Sequence, residues 1–145
     1  MNQRILGLVL IAAIFCAIGC SKNVKVSGKV TFPDGSPLTV GKVTFETATY
    51  SASGQLKEDG TYTIGSLSDN DGLPPGLYKV FIAGAMKQDG TKNMNVQTPG
   101  ATTSMAMPMF TLAVATKFTK ADTSGITCDV KRSMTFDFEV EPPGQ

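Results

Sequence analysis

The clearest pattern in this chain is alternation. Val24, Val26, Val30 and Phe32 share one parity, with Lys25, Lys29 and Thr31 on the other. That spacing predicts a half-buried strand. Gly28 interrupts its inner face, which points to a bulge or a close backbone approach. Pro33-Asp34-Gly35-Ser36-Pro37 reads as a turn, because Pro fixes φ and Gly admits positive φ. Further strands are expected around 40–47, with Val43 and Phe45 inward, over 53–56, and over Thr61–Ile64 after the Glu58-Asp59-Gly60 turn. Ser68–Gly76 reads as a polar loop. Leu77–Ala83 then places Tyr78, Val80 and Ile82 on one face. The stretch 86–106 has no sustained period and reads as a long mobile loop. Strands over 107–114, 125–131 and 134–140 follow, the last with Phe136, Phe138 and Val140 on one parity. About seven short strands, with no helical pattern beyond residue 19, predict an all-β sandwich over residues 24–141 and a disordered tail over 142–145.

The N-terminus follows a different rule. Arg4 precedes an almost wholly apolar run, Ile5–Ile18. As a helix that run spans roughly 21 Å, short of the roughly 30 Å hydrocarbon core of a bilayer. A signal-peptide helix fits better than a permanent membrane span. The run ends Ala17-Ile18-Gly19-Cys20, which resembles the bacterial lipobox, in which small residues precede a Cys that is alkylated by diacylglycerol. Residues 1–19 are therefore expected to be a lipoprotein signal peptide. Cys20 is expected to be the lipid-bearing first residue of the mature chain, and 20–23 a short tether of roughly 14 Å reach. Two or more acyl chains anchor stably where one does not. Ser21 rather than Asp after the Cys favours the outer over the inner membrane. Lys22, Lys25 and Lys29 form a solvated face that is also placed to meet anionic head groups.

Composition narrows the function classes. The chain has no His, which excludes Ser-His-Asp and Cys-His catalysis and any His-ligated metal. Thirteen basic residues, less Arg4 with the signal, balance twelve acidic ones, which argues against nucleic acid as a partner. Of the three cysteines, Cys16 leaves with the signal and Cys20 takes the lipid. Cys128 alone remains as a thiol, on the inward parity with Ile126 and Val130, and is expected to be buried and inert.

The ordered motifs Val26-Ser27-Gly28-Lys29-Val30-Thr31, Asp59-Gly60-Thr61-Tyr62-Thr63-Ile64, Pro75-Gly76-Leu77-Tyr78-Lys79-Val80 and Phe136-Asp137-Phe138 resemble carboxypeptidase-regulatory-like (transthyretin-like, prealbumin-type) domains of bacterial lipoproteins. The resemblance implies a seven-stranded, Ig-like Greek-key β-sandwich in the cell envelope. It brings no activity with it. Transthyretin-related hydrolases and intradiol dioxygenases need His, which this chain lacks. Isopeptide-forming adhesin domains need a desolvated Lys, whereas Lys25 and Lys29 fall on the outward parity.

Three features stand as candidate chemistry. Met105-x-Met107-x-Met109 places soft thioethers on alternate positions, a pattern suited to Cu(I), with Met86 and Met94 nearby; packing is the plainer reading. Asp69-Asn70-Asp71-Gly72 superficially suggests a Ca²⁺ loop, but the twelfth position from Asp69 is Val80 rather than Glu, and a polar turn fits better. Tyr50, Phe81, Phe110 and Phe118 are candidate exposed aromatics for carbohydrate. No catalytic site and no resident cofactor or metal is expected. The leading expectation is a non-enzymatic, membrane-anchored structural or protein-binding lipoprotein, monomeric, with an envelope protein as partner. The alternative is ligand binding, of carbohydrate or of Cu(I).

The anchor is tested directly. Cells expressing the chain are expected to incorporate labelled palmitate into it, and the Cys20→Ala variant is expected to incorporate none. Absence of label in the wild type overturns the lipoprotein assignment.

Overall fold

A computed structural model describes residues 23–66, 71–96 and 105–144, with side chains left aside over 91–96 and 105–107. Residues 1–19, Cys20 and the tether lie outside the described residues up to Asn23, as do Asp69 and Asn70.

The fold is all-β, with no α-helix among the described residues. Its strands are β1 (Val26–Thr31), β2 (Lys42–Glu46), β3 (Ser51–Gln55), β4 (Thr61–Thr63), β5 (Gly76–Ala83), β6 (Met86–Val96), β7 (Met105–Leu112), β8 (Ile126–Val130), β9 (Met134–Thr135) and β10 (Phe138–Glu139). One sheet is centred on β1, with β4 antiparallel on one side and β9 and β10 parallel on the other. The second is antiparallel in the order β3-β2-β5-β8. The two sheets share one core in a sandwich-like arrangement.

That core is what the alternation encodes. Val26 and Val30 of β1, Val43 and Phe45 of β2, and Tyr78, Val80 and Ile82 of β5 are all buried. The Phe45 ring sits at its centre. Its centroid lies 6.5 Å from Tyr62 and 6.1 Å from Phe136, across the sandwich, and 6.0 Å from Tyr78 on the neighbouring strand. Tilted and edge-on rings at these separations add to the gain from burial alone. Cys128 is buried as expected, and desolvation pushes its thiol pKa above the ordinary value, which keeps it protonated.

Two glycines let backbones approach where a side chain forbids it. A Cβ on Gly28 would lie 2.0 Å from the carbonyl oxygen of Phe136. The expected interruption at Gly28 is thus a close approach, made by the C-terminal strand. The Tyr62 hydroxyl donates to that same carbonyl at 2.5 Å. The ladder between β1 and the C-terminal strand opens here, and the Asp137 carboxylate accepts from the Lys29 amide at 2.7 Å in place of a backbone partner. At Gly54 a Cβ would lie 2.2 Å from the Thr63 carbonyl, and next to it Ser53 bridges to Gly65. Here the two sheets meet edge to edge.

The turns follow the sequence. The Asp34 carboxylate accepts from the Ser36 amide and hydroxyl at 2.9 and 2.6 Å, and Asp59 repeats the device with Thr61 at 3.0 and 2.6 Å. These bonds hold both carboxyl pKa values below the ordinary range.

The expected loop over 86–106 is corrected over 86–96 and 105–106, while 97–104 lie outside the described residues. Residues 86–96 and 105–112 form an antiparallel two-stranded hairpin, rooted where the Ala113 amide donates to the Ala85 carbonyl at 2.8 Å. Its register shifts between Asp89 and Asn93, so three extra residues of β6 stand against none on β7. Such a shift resets parity midway through the strand. No single period survives in a polar segment, and the strand is invisible to alternation.

Gly28→Ala is expected to cost about 2–4 kcal/mol, because the methyl group and the Phe136 carbonyl claim the same space. Tyr62→Phe, which removes only the donor, is expected to cost about 1–3 kcal/mol. Urea unfolding of the two variants checks both; a Gly28→Ala protein as stable as wild type contradicts the close approach.

Candidate functional sites

The two ends of β1 organise the surface. At its start, the Val24 amide donates to the Leu73 carbonyl at 2.9 Å, and the Met134 amide donates to Lys25. This is the end from which the chain leads back toward Cys20. At its finish, Phe32 and Pro33 line a cleft of about 360 Å³ together with Asp34, Lys87, Ala113 and Pro142. Lys87 and Ala113 belong to the root of the hairpin. The hairpin therefore leaves the sandwich at the end away from Asn23. β5 connects the two ends, and its eight residues span about 26 Å.

Among the described side chains, the large exposed apolar ones are Leu77 at 68%, Met86 at 56% and Phe110 at 59%. Two of these three flank the base half of the hairpin. Among the described residues β6 and β7 pair only with each other, and neither outer edge of this ribbon carries a further strand. Leu77 belongs to a second cleft, of about 420 Å³, on the outer face of the β2-β5-β8 sheet with Glu46, Lys79, Asp122 and Thr127. There Lys79 Nζ lies 2.6 Å from the Asp122 carboxylate. The pair lowers the Asp122 pKa and raises that of Lys79, but both groups are exposed and screened. Spacing along the chain gave no signal for this pair, since its members are 43 residues apart.

The other expected residues fall as follows. Met105 and Met107 lie on β7 and are placed by backbone register alone, and Met109 is half-buried. Of the candidate aromatics, only Phe110 is exposed. Phe118 is buried in a 3-10 turn, Phe81 is half-buried, and Tyr50 packs edge-on against Tyr78 at 6.4 Å. An exposed aromatic platform for carbohydrate is thus corrected to a single ring. Asp71 caps a turn by accepting from the Ser66 amide. Lys25 and Lys29 are exposed; Lys22 lies outside the described residues. No cluster of three or more Asp, Glu or Cys side chains fit for a metal occurs among the described residues. Nor is any helix there long and apolar enough to cross a membrane.

No protein-family model matches the chain, and no curated protein matches it. Among solved structures, the chain is similar to a DUF3823 family protein from Bacteroides ovatus, with a TM-score of 0.43 and 15% identity. The match covers 83% of this chain and 45% of that one, so the chain spans under half the length of the protein it matches.

Proposed function

We propose that this chain is a lipid-anchored envelope lipoprotein whose transthyretin-like, seven-stranded Greek-key sandwich is a non-catalytic module for binding another envelope protein. One observation carries the reading. The β6–β7 hairpin stands at the end of β1 opposite the end that leads to Cys20, about 26 Å away along β5. An anchor at one end and an unpaired β-ribbon at the other is an arrangement for presenting the ribbon away from the anchoring membrane.

The physics of the ribbon supports a binding role. Two-stranded ribbons are marginal in water unless a third strand or a packed face joins them. Here both edges offer backbone donors and acceptors for strand addition. Met86 and Phe110 supply exposed apolar area beside those edges. The seven-strand count is reached when β9 and β10 are taken as one interrupted strand and the hairpin as an insertion between β5 and β8. The near-neutral charge supplies no long-range steering, so recognition by the hairpin rests on shape and backbone pairing.

A photo-crosslinking residue placed at Phe110 in the full-length, membrane-resident protein tests this. It is expected to give one discrete protein adduct, and the same residue at Arg132, exposed at the anchor end, is expected to give none. Adducts at Arg132 alone, or no adduct at either position, overturn the reading.

A further inference from the structure

The described chain starts at Asn23, three residues after Cys20, so the Cα atoms of these two residues lie at most about 11 Å apart. Two segments flank that start. On one side Val24 forms a two-bond bridge with Leu73, at 2.9 and 3.1 Å. The chain runs on from there through Pro74 and Pro75 to Leu77, near the start of β5. On the other side the Lys25 amide donates to Ser133 Oγ at 3.1 Å, which sets Lys25 beside the 131–133 turn. The register joins the two sides, because Gly76 pairs with Val130, the residue before that turn, and Leu77 pairs with Asp129. Lys25, Pro75, Leu77, Lys131 and Arg132 are all exposed. Asp129 is engaged by Lys131 Nζ at 2.6 Å, and Asp71 by the Ser66 amide. Lys25 and Arg132 have no carboxylate partner among the described residues.

We propose that this end of the sandwich is a lipid-contact surface, on which Lys25 and Arg132 meet anionic head groups and Leu77 packs at the head-group boundary. The proposal rests on the reading of Cys20 as lipid-bearing, and adds that the domain itself, not the acyl chains alone, holds the membrane. The reach of the chain selects this occupant. An acylated Cys20 keeps Asn23 within about 11 Å of the surface, comparable with the Debye length of about 8 Å at physiological salt. Within that distance each basic side chain strengthens attachment to an anionic bilayer about fivefold. Lys29 lies four residues beyond Lys25, about 13 Å further along β1, and takes no part. Exposed apolar area beside the cations adds to the attraction. Lys25 leads into β1, whereas Leu77 lies on β5 in the facing sheet. Contacts on both sheets hold the sandwich upright, with its hairpin end away from the bilayer.

The test uses full-length, acylated protein in vesicles of phosphatidylcholine, alone or mixed with phosphatidylglycerol. A Cys128→Ala background carries one labelling thiol, from Leu77→Cys or Phe110→Cys, bearing an environment-sensitive fluorophore, and a doxyl-labelled lipid serves as quencher. In the anionic vesicles the label at 77 is expected to be quenched about twofold or more, and the label at 110 to be unaffected. Lys25→Gln combined with Arg132→Gln is expected to return the signal at 77 to its level in phosphatidylcholine alone. Lys29→Gln is expected to leave it quenched. The proposal is overturned if neutral vesicles quench the label at 77 as fully as anionic ones, if the double variant quenches like wild type, or if the label at 110 is quenched as strongly as that at 77. A photo-crosslinking residue at Arg132 that captures protein instead of lipid also overturns it. A chain that takes no palmitate overturns the anchor reading and this proposal together, whereas an acylated chain unquenched at 77 overturns this proposal alone.

Discussion

The contact on which the rest of the structure depends is the passage of the Phe136 carbonyl over Gly28. It is possible because Gly28 has no side chain, and it is held by the Tyr62 hydroxyl, which reaches that carbonyl from β4. Three strands are joined at one point: β1, β4 and the C-terminal strand. The rings that follow from it, Phe136 and Phe138, pack on Phe45 and Tyr62 and close the core between the sheets. Docking of the C-terminal strand also fixes both ends of β1. Met134 ties its start, and the Val140 amide, bonded to Thr31, ties its finish. The separation between the Asn23 end and the hairpin end is set by β1 and, in the facing sheet, by β5.

Burial on these inner faces is where stability resides. The three ion pairs among the described residues, Lys79–Asp122, Lys117–Glu141 and Lys131–Asp129, are all exposed, and such pairs contribute little after screening and side-chain ordering. The desolvated groups are instead neutral. Tyr62 is kept protonated by burial, its pKa driven far above the phenol range, so it remains a donor to Phe136 at neutral and moderately alkaline pH. Among the described residues the core accordingly holds no ion pair for salt to screen.

What the sequence made legible is what alternation and turn chemistry record. β1, β2, β4 and β5 were readable because each buries one face, which forces period two on the chain. The Asp34 and Asp59 turns were readable because a carboxylate two residues before a donor is a local device. Pairing partners are not local, and no periodicity records them. The parallel docking of β9 and β10 on β1, the close approach at Gly54 and the Lys79–Asp122 pair all needed the fold. Phe118 was misread as exposed because a single buried ring in a 3-10 turn leaves no pattern around it. The hairpin was missed because its register shift breaks the parity that alternation reads.

The hairpin also stands apart from the sandwich in its pairing, since among the described residues β6 and β7 pair only with each other. β7 carries methionine at alternate positions without a charge anywhere along it. Such a ribbon contributes little to the core and draws little order from it beyond the root at Ala85 and Ala113. Its stability then depends on what it binds, because any ligand that prefers the paired ribbon shifts the equilibrium toward it by mass action. A partner strand that adds to an edge of the paired ribbon, as proposed, would be such a ligand, and its docking would order the ribbon as it binds.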